Sequence, residues 1–159
     1  MPTLVLFQPQ IPPNTGNIMR LCSNTGFKLH LIRPLGFNMD EKSLKRAKLD
    51  YLTDTDPIIY DDLETYCKKI NINNLFIITK FAKINYTNAN FKNDSIIIFG
   101  SEVSGLPKKF IKSNESRLFK IPMLKGSRSL NLSNAVAIIA YEAWKKLNFS
   151  GANHKDIIK

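Results

Sequence analysis

The segment SRSLNLSNAVAII, residues 127–139, passes within a few positions from hydroxyl and amide side chains to an apolar helical pattern. One such side chain is enough to cap a helix, because a single Asn or Ser oxygen accepts hydrogen bonds from the unpaired amides of the first turn. This segment offers several candidates and an arginine: Ser127, Arg128, Ser129, Asn131, Ser133 and Asn134. The surplus predicts a ligand site at the start of this helix as well as a cap.

A second segment, IIIFGSEVSGLP at 96–107, is an apolar strand pattern that runs into Gly100, Glu102 and Gly105. Glycines permit a close approach of the backbone to a ligand, and open α/β sheets bind ligands beyond the carboxyl ends of their strands. The spacing matches neither a P-loop, which ends in Gly-Lys-Ser/Thr, nor the dinucleotide pattern G-x-G-x-x-G. Taken alone, the loop is also compatible with an ordinary strand-to-helix turn.

A third segment, PPNTGNIMRLCSNTGF at 12–27, predicts a helix with Asn14 and Thr15 as candidate caps. Cys22 falls on the apolar face of this helix, which favours a packing role over a nucleophilic one. Arg20 lies away from that face. From the pattern alone, Arg20 is either a solvated surface arginine or a functional cation.

Cysteine and histidine are too few and too scattered to predict a disulfide framework or a zinc site. The chain contains Cys22, Cys67, His30 and His154, with no C-x-x-C pair. His30 alternates with leucines in a strand pattern. A structural role and an RNA contact both remain open for it.

Five short apolar runs have the length and the β-branched or aromatic content of strands: TLVLF, KLHLI, NLFIIT, SIIIFG and RLFKIP. Helical patterns are predicted at about 16–25, 41–48, 61–70, 107–113 and 132–147. This alternation predicts an α/β fold with a mostly parallel sheet flanked by helices. The 159 residues contain no repeat or linker, so we expect one domain over 1–159, with a flexible tail after about 150.

The chain is strongly basic, with a net charge of +10, whereas residues 50–64 carry six acidic side chains and no basic one. A basic surface suits a polyanionic partner, although a lysine-rich composition explains the charge equally well. No apolar run approaches the roughly 18 residues of a membrane span, and the N-terminus lacks the pattern of a signal peptide. We therefore expect a cytoplasmic protein with no membrane partner.

Three segments together resemble the motifs of the SPOUT (α/β-knot) RNA methyltransferases: NTGNIMRLCSNTGF, IIIFGSEVSGLP and IPMLKGSRSLNLSNAVAIIAYEAW. The opening FQPQIPPNTGNIMRLCSNTGFKLHLIRPLGF is similar to the tRNA (cytidine/uridine-34-2′-O)-methyltransferases among them. The resemblance runs from about residue 3 to about residue 150 and is weakest over 53–95. It implies a single-domain α/β knot with a C-terminal trefoil knot.

The resemblance also implies a site for S-adenosylmethionine, converted to S-adenosylhomocysteine, with no metal. The residues expected to hold this cofactor are Ile78, Thr79, Gly100, Glu102, Gly105, Ile121, Met123, Ser129, Leu130 and Asn131. The residues expected at the reacting ribose 2′-hydroxyl are Arg20, Asn14, Glu102 and Ser129. Those expected to contact RNA are Arg20, Arg128, Tyr141 and His30. Because a guanidinium stays protonated, we favour orientation and acidification of the hydroxyl by Arg20 over proton abstraction.

The implied partners are the tRNA anticodon stem-loop and a second copy of the chain. We expect the homodimer to use the helix at 132–147 and the helix after Asn14, with Tyr141 and Trp144 as aromatic contacts. Three alternatives stay open: a ribose methyltransferase for another tRNA or rRNA position, a non-catalytic RNA-binding module, and a metabolite-binding α/β protein.

Overall fold

The computed structural model describes residues 1–39 and 56–153 of the chain. Its strands are Thr3–Phe7 (β1), Lys28–Ile32 (β2), Ile58–Tyr60 (β3), Leu75–Ile78 (β4), Ile84–Asn85 (β5), Ile96–Phe99 (β6) and Leu118–Lys120 (β7). Its helices are Pro12–Thr25 (α1), Leu63–Lys69 (α2), Lys108–Lys112 (α3) and Leu132–Lys146 (α4). The helix predicted at 41–48 lies outside the described residues, as do His154 and most of the predicted tail.

The seven strands form one sheet in the order β3-β2-β1-β6-β4-β7-β5, and every strand pair in it is parallel. This confirms the predicted α/β fold and the five predicted strands. The sequence analysis missed β3 and β5, which have three and two residues. Such short edge strands show little alternation, so their pairing partners define them more than their own residues do. The trefoil knot stays a prediction.

Helix α1 begins four residues earlier than predicted, at two prolines. Proline suits the first turn of a helix because its φ is already helical and no partner is needed there for the missing N–H. The N-cap is Ile11, with no side-chain hydrogen bond, so the prediction that Asn14 and Thr15 cap this helix is wrong. Both side chains are buried inside the first turn instead, where Asn14 is available for other contacts.

The sheet separates two apolar layers because successive strand residues face opposite sides. In β1, Leu4 and Leu6 belong to one layer and Val5 and Phe7 to the other. Helices α1 and α4 pack together over the first layer. Tyr66 of α2 is buried in the second. This arrangement holds the carboxyl ends of the central strands and the amino ends of α1 and α4 close to one another.

Part of the acidic segment 50–64 falls in the described residues, and there it has local structural roles. Asp62 caps α2 by accepting a hydrogen bond from the Thr65 amide at 2.7 Å. Hydrogen bonds from Thr65 lower the pKa of the Asp62 carboxyl. Asp61 lies 3.5 Å from Arg33 across the surface.

No helix among the described residues is long and apolar enough to cross a membrane.

Candidate active site

A cavity of about 530 Å³ opens at the carboxyl ends of β4 and β6, just beyond the end of β7. The loop at 100–105, the segment at 128–132 and the start of α1 complete its wall. This is the edge where parallel α/β sheets place their ligands. Every residue predicted to hold the cofactor lines the cavity: Ile78, Thr79, Gly100, Glu102, Gly105, Ile121, Met123, Ser129, Leu130 and Asn131.

The loop at 100–105 is closed on itself by two backbone hydrogen bonds between Ser101 and Gly105, at 2.9 and 3.2 Å. A Cβ on Gly100 would stand 2.5 Å from the carbonyl carbon of Gly105, so only glycine fits there. Gly105 has φ +68, and a Cβ on it would meet no protein atom within 4 Å. The close approach thus concerns Gly100 and the loop backbone, whereas Gly105 faces open space and needs glycine for its left-handed conformation.

Glu102 joins this loop to the start of α1 through three hydrogen bonds. Its carboxylate accepts from the backbone amides of Gln10, at 2.9 Å, and Ile11, at 3.3 Å. It also accepts from Nδ2 of Asn14 at 3.0 Å. The acidic side chain therefore fixes the start of α1 against the loop, and these bonds use three of the about four lone-pair sites of the carboxylate.

Asn14 extends the network to the third segment. Its Oδ1 accepts a hydrogen bond from Nδ2 of Asn131 at 3.0 Å. Asn131, one of the several candidate caps in the sequence, is the N-cap of α4, and its Oδ1 accepts from the amides of Ser133 and Asn134 at 2.9 and 3.4 Å. Glu102, Asn14 and Asn131 form one continuous chain, which we call the amide–carboxylate network. It links all three sequence segments at one wall of the cavity.

Beside this network the cavity rim remains open. Ser129 and Arg128 are exposed and line the cavity immediately before the Asn131 cap. Exposed apolar side chains stand next to them, including Leu130 and, across the opening, Val103, which is 84% exposed. Apolar side chains left open around a polar pocket are typical of a surface that a ligand or partner covers.

Three of the predicted site residues do not line the cavity: Arg20, Tyr141 and His30. Arg20 is exposed on α1, six residues beyond Asn14, and is not among the residues that line the cavity. Tyr141 is 48% exposed on α4, with its ring 5.8 Å from that of Trp144. Trp144 is buried in the core and donates its indole N–H to the Ser150 carbonyl, which leaves little of its ring exposed for the expected interface contact.

His30 lies in the middle of β2 and is packed among aromatic rings. Its Nδ1 is 3.1 Å from the hydroxyl of buried Tyr66, and its ring centroid is 5.2 Å from that of Tyr60. Burial, aided by the positive charge of Lys28, lowers its pKa to about 4. We call His30, Tyr60 and Tyr66 the aromatic cluster. This packing favours the structural alternative for His30 over the RNA contact.

Cys22 is buried between α1 and the sheet, and burial raises the pKa of its thiol to about 12. A thiol with so high a pKa is not a nucleophile at neutral pH, which agrees with the predicted packing role. No group of three or more His, Cys, Asp or Glu side chains in the described ranges could hold a metal ion.

Several residues that line the cavity were not predicted from the sequence. Among them are Lys80 and Phe81, which lie two and three residues after the end of β4. Their position after an apolar strand was the available signal, the same one that identified the loop at 100–105. Ile11 was not predicted either. Its backbone amide donates to Glu102, and the proline-rich segment around it has no periodicity that predicts such a contact.

A family model described as the SpoU rRNA Methylase family matches residues 1–141. The tRNA (cytidine(34)-2′-O)-methyltransferase of Methylovorus glucosotrophus is 42% identical over 151 residues, which cover 94% of this chain and 97% of that protein. The protein of the same name from Escherichia coli K12 is 41% identical over 98% of this chain and 100% of its own length.

Two solved structures extend these similarities. One, described as giving structural insights into the 2-OH methylation of C/U34 on tRNA, is 37% identical and superposes with a TM-score of 0.84 over 93% of this chain and 97% of that one. The SpoU methyltransferase AviRb of Streptomyces viridochromogenes, solved with AdoMet, is 21% identical with a TM-score of 0.78, over 94% of this chain and 58% of its own. At that identity, the second match shows a shared fold.

Proposed function

Because this chain belongs to the SpoU rRNA Methylase family, we propose that it methylates the ribose 2′-hydroxyl of nucleotide 34, the wobble cytidine or uridine of tRNA. The relatives named for this reaction match nearly the whole chain. The observation that carries the proposal is the cavity, where the amide–carboxylate network ties all three sequence segments to one wall.

The cavity suits S-adenosylmethionine as methyl donor. Its volume of about 530 Å³ is in the range of small-molecule sites, and Ile78, Phe99 and Ile121 offer apolar walls for a purine. Loop backbone around Gly100 and Gly105 can approach a flat ring without a side chain in between. When bound, S-adenosylmethionine supplies a methyl group activated by its sulfonium, and S-adenosylhomocysteine is the product. The loops, with Thr79 and Leu130, would hold it, and no metal is proposed.

The chain's own residues must position the ribose and ease the loss of its 2′-hydroxyl proton. We assign Ser129, at the rim beside the N-cap of α4, to contact this hydroxyl. We assign Arg20, on the exposed side of α1, to stabilise negative charge on the oxygen and to contact the neighbouring phosphate, because a guanidinium is a cation with a planar set of donors. Asn14 and Glu102 act through other residues and do not contact the ribose. Their hydrogen bonds set the position of α1 and of the α4 start, and hence of Ser129.

We further propose that two copies of the chain associate through α4 and α1. Ile138 and Tyr141 leave an exposed apolar strip on α4, since they are 36% and 48% exposed. The apolar rim of the cavity continues this surface at Leu130. Light scattering at micromolar concentration should give about twice the monomer mass of 18.1 kDa. A mass of 18.1 kDa would contradict the dimer.

The function is tested with purified protein, tritiated S-adenosylmethionine and bulk tRNA from a strain that lacks the gene. We expect label in tRNA, and mapping of the modified nucleotide should locate it at ribose 34. Label at another tRNA position or in rRNA would assign the chain to a different ribose methyltransferase. Absence of transfer, with RNA binding retained, would leave a non-catalytic binding module. With tRNA as its substrate, the proposed compartment is the cytoplasm.

A further inference from the structure

A second cavity, of about 420 Å³, adjoins the first on the side of the turn that follows β4. The two cavities share Lys80, Phe81, Ile121 and Met123 in their walls. Lys120 and Ser127 lie in the second cavity and not in the first. The turn after β4 therefore forms a ridge between the proposed methyl-transfer site and a neighbouring open groove.

Phe81 occupies this ridge and is 66% exposed, more than any other phenylalanine in the described residues. Most of the others pack in the core, as Phe76 does against Phe91 and Phe119 with centroid separations of 4.8 and 5.6 Å. Leaving a phenyl ring in water has a cost in free energy, since burying it would remove a large apolar area from solvent. The ring is placed where a ligand, rather than the core, can cover it.

The backbone presents Phe81 from a fixed turn. The Thr79 amide donates to the Phe119 carbonyl at 2.9 Å, which anchors the turn to β7. The Phe81 amide donates to Oγ1 of Thr79 at 3.4 Å. Ala82, the next residue, is buried in the second apolar layer. The exposed ring thus lies between two anchored positions. This reduces the conformational entropy that is lost when a ligand contacts the ring.

The charge beside Phe81 is positive. Lys80 places its Nζ 5.5 Å from the centre of the Phe81 ring, and Lys120 lines the second cavity. None of the described residues that line this cavity is acidic. An exposed aromatic ring flanked by cations is the combination that binds single-stranded nucleic acid, by stacking a base and neutralising its phosphate. S-Adenosylmethionine carries one carboxylate together with an ammonium and a sulfonium, so its net charge is positive, and the two lysines favour polyanionic RNA over the methyl donor as the occupant.

We propose that Phe81 stacks an unpaired nucleobase of the anticodon loop next to the methylated nucleotide, with Lys80 and Lys120 at its phosphates. This inference rests on the proposed function, because it requires a single-stranded RNA segment at the adjoining cavity. Phe81 is then a positioning residue, which holds the loop so that the target ribose enters the first cavity.

The test compares Phe81→Ala and Phe81→Trp with Ile58→Ala in the full-length protein. Ile58 is 53% exposed on β3 and lines neither cavity, so it controls for loss of an exposed apolar side chain. Affinity for an anticodon stem-loop RNA is measured by fluorescence anisotropy, and affinity for S-adenosylhomocysteine by calorimetry. We expect Phe81→Ala to weaken RNA binding about tenfold and Phe81→Trp to retain it. Because Phe81 also lines the first cavity, the affinity for S-adenosylhomocysteine should fall by a smaller factor than the affinity for RNA. Lys80→Ala should lower the salt dependence of RNA binding by about one unit of slope.

Two results would overturn the inference. Equal RNA affinity of Phe81→Ala and Ile58→Ala would remove Phe81 from the RNA site. A loss of S-adenosylhomocysteine affinity with unchanged RNA affinity would assign the ring to the methyl donor instead. The wild-type protein reports separately on the proposed function. If it methylates nucleotide 34 and Phe81→Ala binds RNA normally, only the stacking proposal fails; if it neither binds nor methylates the RNA, both fail.

Discussion

The aromatic cluster and the amide–carboxylate network both contain side chains of the kind used in catalysis, but their surroundings differ. In the cluster, His30, Tyr60 and Tyr66 fill the space themselves, with the Tyr60 and Tyr66 rings 4.7 Å apart. In the network, Glu102 and Asn131 are equally well bonded, yet a cavity lies beside them. A polar network therefore points to a ligand when it borders open volume, and to packing when its own side chains occupy that volume.

Arg20 should show the largest functional effect. If Arg20 acts on the ribose hydroxyl, Arg20→Ala should slow methyl transfer at least about a hundredfold, the low end for a positioned acid–base group. Its affinity for S-adenosylhomocysteine should stay normal, because Arg20 does not line the cavity. Arg20→Lys should restore little of the methyl-transfer rate, since lysine lacks the planar guanidinium that can hold hydroxyl and phosphate together. Single-turnover rates at saturating enzyme measure the effect.

His30→Phe is the matched control from the aromatic cluster and should methylate tRNA at nearly the wild-type rate. A large loss of methyl-transfer rate in His30→Phe would contradict the structural role assigned to the aromatic cluster. Recovery of Arg20→Ala to the wild-type rate at saturation would limit Arg20 to phosphate binding. Ser129 would then be the next candidate to activate the hydroxyl.

Gly105→Val should abolish S-adenosylhomocysteine binding in calorimetry while the protein stays folded. The added side chain has no protein neighbour within 4 Å, so it occupies space beside the cavity. Its φ of +68 also strains any L side chain, at a cost of about 1–2 kcal/mol. Gly26→Val carries the same strain at φ +70, remote from the cavity. Equal binding by the two variants would remove the loop at 100–105 from the site.

Glu102→Gln should lower the free energy of unfolding by about 1–3 kcal/mol, measured by urea denaturation. The NH2 of glutamine replaces one carboxylate oxygen, so at least one N–H that now donates to Glu102 would face another donor. Methyl transfer should fall with it, as the start of α1 loses its anchor at Gln10 and Ile11. Glu64→Gln, on the exposed face of α2, is the control and should change little. Unchanged stability in Glu102→Gln would show that the network does not fix α1.

The smallest effect concerns pH and the aromatic cluster. The pKa of His30 is about 4 in the fold and 6.5 ordinarily, so between these values the unfolded chain binds a proton that the fold does not. The free energy of unfolding should therefore fall as the pH drops from about 6.5 to about 4. His30→Phe should show a shallower decline in urea titrations over this range. Parallel curves for the two proteins would exclude His30 as the source.

The alternation of strands and helices was predictable from the amino-acid sequence, because the apolar periodicity of each element is local and strong. A cap at the start of the last helix was predictable as well, with Asn131 among several candidates, since a cap bonds residues two and three positions away. The family followed from three segments with fixed spacing, and the resemblance to it implied ten of the residues that line the cavity. These features depend on chain neighbours, which a sequence records directly.

Contacts between residues far apart in the chain became known from the fold. Glu102 bonds residues about ninety positions earlier, and Asn131 bonds Asn14 across 117 positions, so no local pattern reports these contacts. The same holds for His30, whose role depends on Tyr60 and Tyr66, and for Trp144, which the core covers. The exposure of Phe81 on a ridge between two cavities is likewise a consequence of strand order, because β7 and β5 bring the turn after β4 beside the segment at 121–127.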